Sequence, residues 1–278
     1  MASPRPDISI VLPCYRAAEL ARRSVERIDA FMQESGRTWE TVVVDDGGGD
    51  FGPEPIGIAG TTTLIQLPEN RGKGAAVREG MLAASGRVRI YTDVDLPYGL
   101  DHIPTIVHSI ERLGYHLVIG DRTLPGSRYT EDLPLGRRVA SALFTEFVGR
   151  LVTGGFHDTQ CGLKGLRGDV ATLIFRDLLL DRFAFDVELV YVALKHRADI
   201  RRIPVKLVAN ESSSVRLLRD SARGVIDVFR IKLHQLQGRY ESPELAGVLA
   251  ADRQLAARAA WAGWGPATQV TSATPWRG

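Results

Sequence analysis

Cysteine is nearly absent: Cys14 and Cys161 are the only two in 278 residues. Two cysteines cannot build a disulfide framework or a zinc site, and they suit an intracellular, reducing compartment. An excess of one charge is also missing. Thirty-five Lys and Arg face 33 Asp and Glu, and a formal net charge of +2 makes no global case for binding nucleic acid. No apolar run approaches the ~20 residues that cross a bilayer, and the opening "MASPRPDIS" lacks the apolar core of a secretion signal. Any membrane contact is therefore expected to be peripheral. What remains is 44% hydrophobic and 24% charged, an ordinary globular composition with length for one large core. There is no internal repeat.

The first two thirds alternate between strand and helix patterns. Strands are expected at 8–13 ("ISIVLP"), 41–46 ("TVVVDD"), 61–68, 87–93 ("RVRIYTD") and 115–121 ("YHLVIGD"), as short apolar runs rich in β-branched residues. Between them, Leu20, Val25, Ile28, Phe31 and Met32 share one helical face, and 72–86 reads as a helix with a glycine-rich start and a glycine stop. A further helix fits "LDHIPTIVHSIERLG". This order predicts an α/β fold with helices on both faces of the sheet. Beyond residue 121 the expectations are a helix at 133–154, an irregular "DTQCGLKGL" at 158–166, a helix at 185–198, a strand at 200–208 and a basic amphipathic helical region at 211–239. The Ala-, Gly-, Thr- and Pro-rich chain beyond 241 reads as a loosely packed tail.

Apolar strands that end in acids recur: "VVVDDGGGD", "IYTDVDLP" and "VIGDR". In an open α/β sheet, ligands bind outside the carboxyl ends of the strands. Asp45, Asp46, Asp93, Asp95 and Asp121 would then share one edge, where they repel unless a cation or hydrogen-bond donors sit among them. A hard divalent ion held by one or two carboxylates and completed by substrate phosphates is a natural partner. "NRGKGAAVREG" supplies phosphate donors: Arg71, Lys73 and glycine N–H groups at a helix start. It follows the third strand, which excludes a dinucleotide fingerprint, and it is not a P-loop.

Six motifs in order, "ISIVLPCYRAAE", "VVVDDGGGD", "NRGKGAAVREGM", "TDVDLP", "DTQCGLKGL" and "FDVELVYVA", resemble family 2 glycosyltransferases over roughly residues 7–232. They look most like the branch that makes dolichyl- or polyprenyl-phosphate glucose and mannose. The resemblance implies a GT-A fold: one mixed, mostly parallel sheet between helices, with a Rossmann-like nucleotide-binding half. It also implies a UDP- or GDP-hexose donor, Mg2+ or Mn2+, and inversion at the anomeric carbon. Carried over by position, Pro13, Tyr15 and Glu19 lie where the family holds base and ribose. Asp46 receives the base edge with Asp45 beside it, and Gly72 and Lys73 run along the nucleotide. Asp93 and Asp95 match the metal-binding D-x-D; Asp93 also reaches the donor. Pro97 stands where related mannosyltransferases carry a metal-binding glutamine. Arg122 and Arg138 match arginines that cradle the acceptor phosphate. Asp158, with Gln160, stands in the acceptor segment, and Glu188 in "FDVE".

Each of these has a plainer reading. Asp93 and Asp95 could be turn residues, Lys73 a solvated helix-start charge, Arg137 and Arg138 a wet helix face, Asp158 an Asx turn, and Asp186 a helix cap. The two cysteines fit as small buried hydrophobes. The expected unit is a glycosyltransferase domain over 1–240, with a nucleotide-sugar half at 7–121, an acceptor half at 122–240 and a flexible tail at 241–278. The expected activity is hexose transfer to a polyprenyl or dolichyl phosphate by a cytoplasmic protein on the inner face of a membrane. The first alternative is the same fold acting on a soluble hydroxyl, for which Asp158, with Glu188 behind it, would be the base. A non-catalytic partner subunit is the second, opposed by the intact D-x-D and Lys73. No nucleic acid partner is expected.

Overall fold

The computed structural model describes residues 5–54, 56–58, 60–128, 158–208 and 217–261. One sheet runs through it, built from β1 (Ile8–Cys14), β2 (Trp39–Asp45), β3 (Thr62–Gln66), β4 (Val88–Tyr91), β5 (Leu117–Asp121), β6 (Lys164–Arg167) and β7 (Ile200–Pro204). Their order across the sheet is β3-β2-β1-β4-β6-β5-β7. β6 pairs antiparallel with both β4 and β5, and every other pairing is parallel. All strands except β6 therefore end at one edge.

The helices are α1 (Ala18–Ser35), α2 (Lys73–Ala83), α3 (Ile103–Glu111), α4 (Gly168–Asp177), α5 (Phe185–Lys195), α6 (Leu217–Leu236) and α7 (Pro243–Trp261). Strand alternation sends side chains to two cores. Ile8, Ile10 and Leu12 of β1 pack with Val25, Ile28 and Met32 of α1 and Ile106 of α3. Val11 faces the other way, toward Val77 of α2, Ile174 of α4 and Val190 of α5. β1 is buried from end to end, which is why it reads as an unbroken apolar run. α1 stops at Gly36, whose φ of 67° suits the left-handed C-cap.

Two expectations change. "DTQCGLKGL" is not irregular throughout, because its last residues begin β6. Lys164 hides that strand in the sequence, and Asp186 makes its burial tolerable through an ion pair. The chain beyond 241 continues as α7, and Leu245 and Leu249 are fully buried in the core on the α4 side. Its composition had read as a loosely packed tail, yet alanine is also the strongest helix former. The basic amphipathic region expected at 211–239 carries, where described, two sets of apolar residues. Val228 and Ile231 enter the core, whereas Ile226, Phe229, Leu233 and Leu236 are 54%, 57%, 51% and 84% exposed. Val225's side chain, the expected helix at 133–154 and Arg138 lie outside the described residues.

Candidate active site

The parallel strands deliver their carboxyl ends, and the acids there, to one edge. The antiparallel β6 brings its own beginning, and so the Asp158–Leu163 segment, to the same edge. Three of the acids that sequence placed there are held by hydrogen-bond donors. Asp45 accepts from Gly48 N at 2.8 Å and Gly49 N at 3.0 Å. Asp46 accepts from Arg71 N and Gly72 N, both at 2.8 Å, and so fastens the glycine-rich loop to the end of β2. Burial raises the Asp46 pKa and the neighbouring Asp45 adds to it; the two N–H groups and Arg182 act against this without reversing it. Asp121 accepts from Thr123 N at 2.8 Å and Arg202 Nε at 2.5 Å and is buried.

Asp93 and Asp95 differ: both are only half-buried. Asp93 forms an ion pair with Lys73, the first residue of α2. Burial alone would lower the Lys73 pKa, but Asp93 and Asp186 together raise it, so the ammonium stays charged. The turn that carries both acids is tightly held. Leu96 N donates to Asp93 O at 2.9 Å, Val208 N to Pro97 O at 2.7 Å, and Ser24 Oγ to Val94 O. Leu96 itself has a φ of 49°, a left-handed state that a branched residue keeps only where its surroundings impose it. Gly162 lies against this turn, and a β-carbon there would stand 2.0 Å from Asp93 Oδ2. The Asp158–Leu163 segment and the D-x-D turn are thus in contact.

Asp158 and Arg122 form a bidentate pair. Arg122 Nη2 donates to Oδ1 at 2.7 Å, Nε to Oδ2 at 2.9 Å, and Arg122 N also to Oδ2 at 2.7 Å. Burial pushes the Asp158 carboxyl up, but these bonds and the guanidinium charge outweigh it and hold the pKa below the usual carboxylate value. Burial likewise opposes the charge on Arg122, and Asp158 more than compensates.

Glu188, taken from sequence as a catalytic candidate, is fully buried. Its carboxylate accepts from Leu179 N at 3.0 Å, Leu180 N at 2.9 Å and Tyr240 Oη at 2.6 Å. Burial raises its pKa more than these bonds lower it. Fully buried and bonded to these donors, it braces the segment before α5. Glu19 lies in the first turn of α1, exposed and paired with Arg23 at 3.1 Å. Pro13 is buried within β1, and Tyr15, next along the chain, is 42% exposed under the Arg16 guanidinium.

The Asp186 carboxylate goes further than the cap expected of it. It pairs with the buried Lys164 and accepts from Tyr91 Oη at 2.6 Å, while Lys164 Nζ donates to Cys161 O at 2.8 Å. This network ties β4, β6 and α5 together beneath Asp93 and Lys73. Its one sequence signal is a lysine inside an apolar segment, "CGLKGL", with an acid opening an apolar helix.

Among the described residues, no group of three or more His, Cys, Asp and Glu side chains is placed to hold a metal ion. A pair of half-buried carboxylates on a rigid turn still suits a hard divalent cation whose remaining ligands come from a diphosphate and water. The donor set is all oxygen, which favours Mg2+ or Mn2+ over softer metals.

Comparison with known proteins agrees with this geometry. Residues 9–173 match the family model described as Glycosyl transferase family 2. The chain is 27% identical over 246 residues to the dolichyl-phosphate beta-glucosyltransferase of Dictyostelium discoideum, covering 83% of this chain and 75% of that protein. It is 28% identical over 169 residues to the dodecaprenyl-phosphate galacturonate synthase of Rhizobium johnstonii, 59% of this chain and 48% of that one. The glucosyl-3-phosphoglycerate synthase of Mycobacterium tuberculosis, solved with Mn2+, UDP and glucosyl-3-phosphoglycerate, superposes with a TM-score of 0.57 at 19% identity. That superposition covers 81% of this chain and 78% of that one. The fold is GT-A, as the sequence motifs implied.

Proposed function

The chain belongs to glycosyl transferase family 2, and from that premise we propose that it moves a hexose from a UDP- or GDP-hexose to a polyprenyl phosphate. The transfer is a metal-dependent single displacement that inverts the anomeric carbon. The Arg122–Asp158 pair is the observation that carries the choice of acceptor. A hydroxyl acceptor needs a base to take its proton. Asp158 suits that task poorly, because both of its oxygens already accept from Arg122 and its pKa is held down. A phosphate monoester needs no such base, since its second pKa is near ~6 and the dianion is present at neutral pH. Arg122, aimed by Asp158, then orients the acceptor phosphate through its forked donors, with Arg138 as a second cation. The dolichyl-phosphate and dodecaprenyl-phosphate relatives support the same acceptor class.

On the donor side, Asp46 fixes the Arg71–Gly72 backbone along the nucleotide, with Asp45 beside it and Tyr15 on the base side. Asp93 and Asp95 are the residues to hold Mg2+ or Mn2+, which when bound neutralises the departing diphosphate as a Lewis acid. Lys73 supplies a fixed positive charge at the same place. We read residues 7–121 as the nucleotide-sugar half and 122–240 as the acceptor half, with α7 packed onto that unit.

A lipid acceptor requires the protein to work at a bilayer. No helix among the described residues is long and apolar enough to cross one. The exposed side of α6 offers a peripheral contact instead: Ile226, Phe229, Leu233 and Leu236 recur at helical spacing, with Arg230, Lys232 and Arg239 nearby. Apolar residues next to cations suit the surface of an anionic membrane, on the cytoplasmic side.

A panel of nucleotide sugars, offered with polyprenyl phosphates and with soluble alcohols and followed by mass spectrometry, tests the reading. A glycosyl phospholipid formed only with divalent metal is expected. Transfer to a soluble hydroxyl with lipid phosphates ignored, and complete loss in Asp158→Asn, would replace it by the hydroxyl-acceptor alternative.

A further inference from the structure

The segment between α4 and α5 is fastened down on several sides. Glu188 accepts from Leu179 N and Leu180 N. Arg78 donates to Leu178 O at 3.2 Å and pairs with Asp181 at 2.5 Å, and Arg71 reaches Asp181 at 3.7 Å. Ala75 N, in the first turn of α2, donates to Asp181 O at 3.0 Å. The segment is pressed onto the glycine-rich loop. Gly72 has a φ of 112°, and a β-carbon on it would lie 2.7 Å from Asp181 O and 2.9 Å from Arg182 Cγ. Arg182 is therefore held beside Gly72, within electrostatic reach of Asp46, whose ionised form it favours.

Arg182 differs from the cations around it. Arg71 is tied to Glu79, Lys73 to Asp93 and Arg122 to Asp158. Among the described residues, no carboxylate or carbonyl pairs with the Arg182 side chain, which is exposed. An arginine that served only as a solvated surface charge would gain nothing from a backbone fixed by a buried glutamate and two further arginines. A backbone fixed in advance lowers the entropic cost of using the side chain to grip a ligand.

We propose that Arg182 is a donor-binding residue whose guanidinium pairs with the phosphates of the nucleoside diphosphate. Arginine matches phosphate oxygens with two parallel N–H donors, which lysine does not. The proposal rests on reading Asp46, Gly72 and Lys73 as the nucleotide pocket, and it adds a residue that no motif marked.

Calorimetric titration of the full chain with UDP and with GDP, in the presence of Mn2+, tests it. Whichever nucleotide binds the wild type should bind Arg182→Gln about tenfold or more weakly, a loss of about 1.4 kcal/mol per factor of ten. Arg182→Lys should recover part of that affinity, and both variants should melt close to the wild type, because among the described residues the side chain gives up no hydrogen bond or ion pair, only a longer-range attraction to Asp46. Lys73→Met serves as the reference. If Lys73→Met weakens binding and Arg182→Gln stays within twofold of wild type, the proposal is overturned and the pocket stands. If neither changes binding, the pocket is misplaced and the proposal falls with it.

Discussion

At the scale of single residues, the charge state of Asp158 links stability to pH. Its folded pKa is depressed, so its contribution is complete above the unfolded value of about 3.9 and is lost as pH falls through the folded value. Melting temperatures of the wild type should therefore drop as the pH is lowered below about 4, and Asp158→Asn should flatten that part of the curve. At neutral pH the same variant should be destabilised by about 3 kcal/mol, the cost of leaving a largely buried charge without its partner. In a lipid-phosphate transferase it should keep measurable activity with a raised acceptor KM. Asp95→Ala and Asp93→Ala belong to this scale too. Each should reduce transfer ~100-fold or more, because charge developing on the leaving diphosphate is no longer neutralised. Weakened Mn2+ binding in the presence of nucleotide, followed by electron paramagnetic resonance, should accompany that loss. Wild-type activity persisting in excess chelator would contradict both expectations.

Between elements, contact is decided by small residues and buried charges. Gly162→Ala would place a methyl group on Asp93 Oδ2, so the carboxylate must rotate away. Donor and metal binding should fall sharply in this variant, with a smaller change in melting temperature, since the clash is with a half-exposed side chain. Glu188→Ala should behave in the opposite proportion. It leaves Leu179 N and Leu180 N without their acceptor inside the protein, at roughly 1–3 kcal/mol each. Calorimetric melting should show the loss before any donor KM changes.

The same scale shows what could be read beforehand. β1, β2 and β4 were legible because strands buried on both faces read as short runs rich in β-branched residues, and the site edge followed from acids at their ends. β6 was illegible because its buried lysine looks like a loop residue until Asp186, 22 positions later, is seen beside it. The burial of Glu188 was not legible, because a motif marks a residue without saying whether it faces ligand or core. Arg182 had no signal at all, since its importance lies in which backbone is packed under it.

Over the whole molecule, near-neutral net charge leaves no long-range pull toward an anionic surface, so any membrane contact must come from a local patch. Phe229→Asp together with Leu233→Asp should reduce sedimentation with anionic liposomes while sparing donor hydrolysis in solution. Binding of the wild type should weaken as salt rises. Equal sedimentation of the two proteins would remove α6 from the account. α7 contributes to stability. Deleting residues 243–278 removes Leu245 and Leu249 from the core, at roughly 1.5–3 kcal/mol each, and the truncated protein should melt earlier by calorimetry.

The reversed strand has a consequence for how such a molecule can diversify. The chain leaves the sheet at Asp121, the end of β5, and returns at Lys164, the start of its neighbour β6, on the same edge. The ends of β5 and β6 stand side by side, so the connection between them can change in length and composition beyond Arg128, whose backbone bonds to Val205 and Leu207, without moving either strand. Exchanging residues 129–156 for the corresponding stretch of a relative should therefore retarget the acceptor while nucleotide preference stays with the host. A connection anchored at both ends on one edge is a place where new specificity can arise without a new scaffold.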